Sequence, residues 1–156
     1  MISGARVVEL EPRHARIVPY VREADRAEVW ASAGCSVASA VAFSIATSRI
    51  GWAVEIEGEP VAIFGVGDAV GGGVPWLLAT DAVERFPVHF YRVSKGIVAG
   101  MRRRYDYLEN YVDARNTLSI RWLKWAGFAV EDPEPFGAAG VDFHRFWWRN
   151  RSDMNV

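Results

Sequence analysis

The pattern of apolar and polar positions predicts strands and helices that alternate over nearly the whole chain. Period-two or continuous apolar runs bounded by turn residues indicate strands, and apolar residues three and four positions apart indicate helices. Strands are predicted at Ala5–Leu10, Trp52–Ile56, Val61–Val66, Val74–Thr80, Tyr107–Val112, Phe128–Val130 and Asp142–Arg149. Helices are predicted after Glu11-Pro12 and at Tyr20–Ala33, Ser36–Ser48, Phe90–Tyr105 and Arg115–Ala126. Without a linker or repeat, this order indicates one mixed α/β domain over residues 1–156.

Glycine, proline and serine mark several of the predicted boundaries. Gly34 suits the end of one helix, and Ser36 can cap the next. The residues Glu57-Gly-Glu-Pro60 predict a tight turn between two strands. The triplet Gly71-Gly-Gly73 precedes a strand and has no following Gly-Lys-Ser/Thr, so it indicates a hairpin loop and not a phosphate loop.

Composition narrows the class of protein. The chain has 156 residues, 51% of them hydrophobic and 24% charged, which is typical of a globular domain with one core. Its net charge of −1 gives no overall attraction to nucleic acid or to an anionic membrane. The most apolar stretch, Val37–Ala46, is shorter than the roughly 20 residues of a membrane span, so no membrane segment is predicted. The single cysteine, Cys35, is expected to be a buried thiol in a reducing compartment.

Two charged runs each have two interpretations, and three histidines bear on a metal site. The run Arg22–Glu28 places opposite charges three and four positions apart, which predicts a solvated helix face; a docking surface is the alternative. The run Arg102–Arg104 suits a solvated helix end, and a grip on phosphate, RNA or DNA is the alternative. His14, His89 and His144 are scattered and lack cysteine partners, so no metal site is predicted.

One segment carries a resemblance to a known superfamily. The residues Asn116-Thr-Leu-Ser-Ile-Arg-Trp-Leu-Lys-Trp-Ala-Gly-Phe128 resemble the penultimate helix of the GNAT (Gcn5-related N-acetyltransferase-like) superfamily, which starts with Asn and ends with Gly-Phe before a strand. Within that superfamily the chain looks like internal virion or acetyltransferase-like proteins of short-tailed phages. The segments that carry this closer likeness are Arg22–Arg26, Ala62–Val66, Pro75–Asp81, Asn110–Asn116 and Arg121-Trp-Leu123. The resemblance implies a sheet of six to seven strands with helices on both faces.

The resemblance also implies a cofactor groove, with acetyl-CoA as the candidate cofactor. The strand at Trp76–Thr80 would diverge from Tyr107–Val112, and its backbone would hold the pantetheine arm of the cofactor. The candidate cofactor-binding residues are Leu78, Ala79, Thr80 and Asn116.

The sequence departs from the superfamily pattern at two places. Members of the superfamily bind the cofactor diphosphate with a loop Arg/Gln-x-x-Gly-x-Gly/Ala, whereas the stretch Thr80–Phe90 contains no glycine. Asp81 and Glu84 would repel a diphosphate, and Pro87 removes one backbone donor. Leu123 occupies the position at which many members of the superfamily carry a tyrosine that acts as the general acid.

Individual catalytic residues therefore stay unassigned. His89 is a candidate general base, with a surface or capping role as the alternative. Asp113, Arg115 and Asn116 lie at a predicted strand-to-helix junction, where either a ligand or helix capping explains them.

Two functions follow as hypotheses. The first is a phage GNAT-fold virion-associated or assembly protein with a degenerate acyl-CoA site, located in the host cytoplasm during assembly and then in the virion. Its expected partners are other virion proteins; a homo-oligomer is a further option. The aromatic strand Phe146-Trp-Trp148 needs a cover, which is either the sheet itself or a partner. The second is an active N-acetyltransferase whose cofactor contacts are rebuilt from residues such as Arg85 or Arg92. An open groove between the Trp76 and Tyr107 strands, lined by free amides, favours the second hypothesis, and aromatic side chains that plug this groove count against it.

Overall fold

A seven-stranded mixed sheet forms the centre of the protein, and the computed structural model describes residues 4–151. The strands lie in the order β1-β2-β3-β4-β5-β7-β6 across the sheet. Their bounds are β1 Ala5–Glu9, β2 Ser48–Ile56, β3 Glu59–Ala69, β4 Gly72–Ala79, β5 Tyr107–Asp113, β6 Ala129–Pro135 and β7 Asp142–Arg149. Neighbouring strands are antiparallel except β4 and β5, which are parallel. The predicted mixed α/β sheet is confirmed.

Within residues 4–151, five α-helices and one 3₁₀ helix cover the two faces of this sheet. Their bounds are Pro12–Tyr20 for the 3₁₀ helix, α1 Glu23–Ala33, α2 Val37–Thr47, α3 Ala82–Arg85, α4 Pro87–Arg104 and α5 Thr117–Trp125. Gly34 ends α1 in the left-handed conformation, with φ 66°. The Ser36 hydroxyl accepts a hydrogen bond from the Ser39 amide at 3.2 Å and so caps α2. Both boundary predictions are confirmed.

Four local predictions need correction. The segment after Glu11 is a 3₁₀ helix, which suits the presence of Pro19, because a proline cannot donate the backbone bond of an α-helix interior. The helix predicted from Phe90 already begins at Pro87. The predicted strand Phe128–Val130 continues to Pro135, because an irregularity between Val130 and Pro133 accommodates the prolines. Cys35 is partly exposed and not buried.

Two apolar cores lie on opposite faces of the sheet. Ile63 and Phe64 are both fully buried neighbours in β3, and successive side chains of a strand point to opposite faces. Phe64 packs with Phe90 of α4 and Trp122 of α5, with ring centroids 6.0 Å away in each case. Ile63 belongs to the other core, beneath the 3₁₀ helix and α2, with Ile17 and Val41. The sheet is therefore covered on both faces, as predicted.

The aromatic strand β7 is covered in part by the chain itself. Phe146 is buried, and the guanidinium of Arg102 lies 4.8 Å from the ring centroid of Trp148. Trp147 donates its indole N–H to Glu131 at 2.7 Å. Trp147 and Trp148 stay partly exposed, and their cover by a partner stays a prediction.

Among the described residues, no single helix has the length and apolar content to span a membrane. Helices α1 and α2 have that length and apolar content only when they are taken together, and they are bent by 77° relative to each other.

Candidate active site

A cleft opens where β4 and β5 diverge. Their ladder pairs only Gly73 with Leu108, close to the amino-terminal end of each strand. From this vertex the strands separate toward Ala79 and Asp113. Gly72 permits the close approach at the vertex, because a Cβ there would collide with the carbonyl oxygen of Tyr107. We call the space between the carboxyl-terminal halves of β4 and β5 the cleft.

The side of β4 that faces the cleft is largely occupied by the chain's own groups. The Ala79 amide donates to Asp25 at 3.0 Å, and the Ala79 carbonyl accepts from the Arg22 amide at 2.8 Å. Two residues earlier, Leu77 faces the same way by strand alternation. At Pro75 there is no amide to donate, and the carbonyl accepts from the Asn110 side chain at 2.7 Å. The backbone groups at Ala79 and the carbonyl of Pro75 are therefore already hydrogen-bonded within the chain. A ligand that pairs with β4 like an added strand is left with the backbone groups of Leu77 between them.

Four polar side chains close the open end of the cleft, and we call them the polar cluster: Arg22, Asp25, Glu28 and Asn116. Arg22 binds both oxygens of Asp25, with distances of 2.7 and 3.3 Å. The Asn116 amide donates to Asp25 at 3.1 Å and to Glu28 at 3.4 Å, and its oxygen accepts from Arg22 at 3.1 Å. Because Asp25 binds the end of β4 and Glu28 accepts from the Asp113 amide of β5 at 2.7 Å, the polar cluster joins the two diverging strands.

Burial makes the electrostatics of the polar cluster strong. Arg22, Asp25 and Asn116 are 3%, 1% and 2% exposed. Glu28 stays partly accessible as a residue, but its carboxylate is withdrawn from water. That desolvation is the main reason why the pKa of Glu28 rises to about 8, and the nearby carboxylates of Asp25 and Asp113 raise it further against the effect of its hydrogen bonds. Glu28 is therefore largely protonated at neutral pH.

The stretch after β4 uses its backbone amides internally. The amides of Val83, Glu84, Arg85 and Phe86 all donate to carbonyls of the same turn, at 3.0–3.3 Å, and thereby form α3. The Ala82 amide donates to the Thr80 hydroxyl at 3.3 Å, and Pro87 has no amide hydrogen. In addition, the Glu84 carboxylate accepts from Arg22 at 3.0 Å. A phosphate is bound by converging unpaired backbone amides. The amides of residues 82–86 are instead hydrogen-bonded within the turn.

An apolar cavity of about 140 Å³ lies within the cleft. Residues Pro75 to Leu78 of β4 and Asn110 to Val112 of β5 form its two sides, and Leu123 is among the apolar residues that line it. Glu28 and Ser44 are the polar side chains that reach it from α1 and α2. The cavity can hold a small, mostly apolar group beside one titratable carboxyl.

The four predicted cofactor-binding residues have different places in the structure. Leu78 lines the cavity, whereas the Thr80 amide donates to Val61 of β3 at 2.9 Å. Ala79 binds the polar cluster, and Asn116 belongs to it and also caps α5 by accepting from the Ser119 amide at 3.4 Å. The capping interpretation of Asn116 is confirmed, while the cofactor-binding role of the four residues stays a prediction.

The other candidates lie elsewhere or serve the fold. His89 lines an apolar groove with Val54 and Phe86, outside the cleft. The Asp113 carboxylate accepts from the amide and the guanidinium of Arg115, at 2.9 and 2.7 Å. Although burial raises the pKa of Asp113, these bonds lower it more, so its net pKa is below the usual value. Arg85 and Arg92 are exposed and do not line the cavity.

Sequence reasoning misplaced the most important residues of the site. The run Arg22–Glu28 was predicted as a solvated helix face. The structure instead buries Arg22 and Asp25, while Trp30 of the same helix is 64% exposed. One signal could have indicated this: Val21, Asp25 and Glu28 are spaced three and four apart, so a face that begins with an apolar residue continues through two carboxylates.

Within residues 4–151, no group of three or more His, Cys, Asp or Glu side chains is placed to hold a metal ion.

Comparison with solved structures identifies the fold. Ard1 from Thermoplasma volcanium matches with a TM-score of 0.69 and 14% identity, over 94% of this chain and 97% of that one. The yncA structure from Salmonella typhimurium, which contains its cofactor acetyl-CoA, matches with a TM-score of 0.69 and 15% identity, over 95% of both chains. Spermidine N-acetyltransferase from Vibrio cholerae, in complex with CoA and spermine, matches with a TM-score of 0.66 and 12% identity, over 98% and 99%. No protein-family model and no curated protein matches the sequence. The fold is that of the GNAT acyl-CoA N-acyltransferases.

Proposed function

We propose that this GNAT-fold protein has a degenerate acyl-CoA site and acts as a virion-associated or assembly protein of a bacteriophage. The observation that carries the first half is the polar cluster, which binds the amide and the carbonyl of Ala79 at the end of β4, where a pantetheine arm would add. The turn after β4 supports it, because its amides are used internally and it carries Asp81 and Glu84, which repel a diphosphate.

The assembly role rests on the sequence resemblance to phage virion proteins and on exposed aromatic side chains. Tyr20, Trp30 and Phe43 are 70%, 64% and 70% exposed. They lie on three consecutive helices on the same face of the sheet. Large aromatic side chains left in water are typical of protein interfaces. Under this proposal, the exposed aromatic side chains contact another virion protein.

Calorimetric titration with acetyl-CoA, and with CoA as a control, tests the degenerate site. We expect no heat and no thermal shift at millimolar ligand. Micromolar binding of acetyl-CoA would refute the proposal. The assembly half is tested separately by mass spectrometry of gradient-purified particles of the phage that encodes the chain, in which we expect a fixed copy number per particle. Absence from particles and from assembly intermediates would contradict it.

An active N-acetyltransferase is the second candidate, and one observation favours it. The strands do diverge, and both Glu28 and Leu77 line the cavity between them. A carboxyl with a pKa near 8 is suited to accept a proton from an attacking amine. In this case acetyl-CoA would bind, and Glu28→Gln would lower kcat while leaving the affinity for acetyl-CoA unchanged.

A further inference from the structure

A second surface, remote from the cleft, concentrates positive charge beside aromatic rings. A groove between the end of α4, the end of α5 and β7 is lined by Lys95, Ala99, Arg102, Arg103, Trp125 and Trp148, and we call it the basic groove. Among the described residues, no acidic side chain contributes to its lining. Asp106, which accepts from the Asn150 side chain at 3.2 Å, is the carboxylate at the rim beside Asn150.

The three cations of the basic groove lack carboxylate partners. Within the part of the chain that the structure describes, no ion pair includes Lys95, Arg102 or Arg103. Arg16 and Arg145, in contrast, are paired with Glu59 and Glu109. The lining of the groove is therefore positively charged, with the Asp106 carboxylate at its rim, although the net charge of the chain is −1.

Arg102 serves the fold and prepares the groove. Its guanidinium lies over the rings of Phe128 and Trp148 and donates to the Ala126 carbonyl. Its Nε is a buried donor for which the described residues provide no hydrogen-bond partner. Arg102 thus fixes the floor of the groove with a positive charge, while Lys95 and Arg103 remain exposed above it.

The spacing of the exposed groups suits a strand of phosphates with bases attached. Lys95 and Arg103 are eight residues apart on one face of α4, which places them about 12 Å apart along the helix axis. Trp125, 46% exposed, lies beside them and packs edge-on against Tyr91 with ring centroids 4.7 Å apart. Cations that track a backbone next to an aromatic ring that stacks on bases form the usual arrangement for single-stranded nucleic acid.

We propose that the basic groove binds single-stranded nucleic acid, with Lys95 and Arg103 on phosphates and Trp125 stacked on a base. The sequence alone favoured a solvated helix end for Arg102–Arg104, because it showed no second basic or aromatic group nearby. The fold supplies that second group by bringing Lys95, Trp125 and Trp148 to the same place. This proposal does not depend on whether acyl-CoA binds in the cleft.

Fluorescence anisotropy of a labelled 15-residue oligothymidylate, measured from 50 to 300 mM salt, tests the proposal. Removing two phosphate contacts in Lys95→Ala/Arg103→Ala is expected to lower affinity at least tenfold at low salt and to reduce the slope of log affinity against log salt by about 1.4. Trp125→Leu is expected to lower affinity about tenfold and to leave that slope unchanged, because stacking releases no counterions.

The matched control is Arg16→Ala/Arg49→Ala, which also removes two exposed positive charges but lies outside the basic groove. It should bind as the wild type does. Equal affinity of the wild type and the groove variants would overturn the proposal, as would equally tight binding of a labelled 15-residue glutamate peptide, since that would indicate an acidic protein partner. Circular dichroism and thermal melting establish that each variant is folded.

Discussion

Asp25 is the residue on which the stability of the site most depends. Its carboxylate accepts from Arg22, from the Asn116 side chain and from the Ala79 amide, at distances from 2.7 to 3.3 Å. Asp25→Ala leaves the buried guanidinium of Arg22 with Glu84, which is about half exposed, as its remaining carboxylate. Breaking a buried ion pair from one side costs about 3–5 kcal/mol. For a domain of this length, that corresponds to a decrease of about 10 °C in the melting temperature.

Urea unfolding followed by tryptophan fluorescence measures this loss. The control is Arg16→Ala, which breaks the exposed ion pair of Arg16 with Glu59 at 3.4 Å, and should cost about 0–1 kcal/mol. A loss below about 1 kcal/mol in Asp25→Ala would refute the reasoning, because a desolvated charge cannot lose its partner that cheaply.

A double substitution separates the charge from the packing. Arg22→Met/Asp25→Leu replaces both members of the pair with apolar side chains, and buried ion pairs replaced in this way often lose little stability. We therefore expect the double variant to be more stable than Asp25→Ala. A double variant less stable than Asp25→Ala would contradict the inference that the unpaired buried charge of Arg22 dominates the loss in Asp25→Ala.

Two further predictions concern the same cleft. Because the pKa of Glu28 rises from its unfolded value near 4.5 to about 8 on folding, the folded state holds the extra proton, and stability should fall as pH rises from about 4.5 to 8. Glu28→Gln should flatten this part of the stability–pH curve and unfold at higher urea than the wild type at pH 9; an unchanged curve would contradict the assigned pKa. Gly72→Ala should destabilise the protein by more than about 1 kcal/mol, because the added Cβ would collide with the Tyr107 carbonyl. The control is Gly67→Ala, whose added Cβ would meet no atom within 4 Å. Equal urea midpoints for the two variants would count against a close approach at the vertex.

The sequence predicts the fold well because the apolar periodicities are long and the boundaries carry turn residues. All seven strands and the helices α1, α2, α4 and α5 were found, and strand β7 has the predicted bounds. Boundaries moved where local chemistry competes, as at the 3₁₀ helix with Pro19 and in β6 with its prolines. The short helix α3 has four residues, which is too few to give a periodic pattern.

The site was harder to predict because its chemistry depends on distant contacts. Asn116 lies 91 residues from Asp25, and no local pattern indicates that the two side chains meet. A charged residue is assigned to solvent by default, since burial of a charge is rare without a partner. Arg22 and Asp25 can both be buried because each is the ion-pair partner of the other. This pairing is visible only in the folded structure.

The single ladder pair between β4 and β5 has a consequence for how the protein opens. Backbone hydrogen bonds join β1 through β4 into one unit and β5, β7 and β6 into another, but only Gly73 and Leu108 connect the two units within the sheet. Beyond this ladder pair, the two units are joined by the apolar core that they share, by the hydrogen bond from Asn110 to the Pro75 carbonyl, and by the polar cluster. Amide hydrogen exchange should resolve two groups of protected amides, and the strands at the vertex should lose their protection together when the polar cluster is broken.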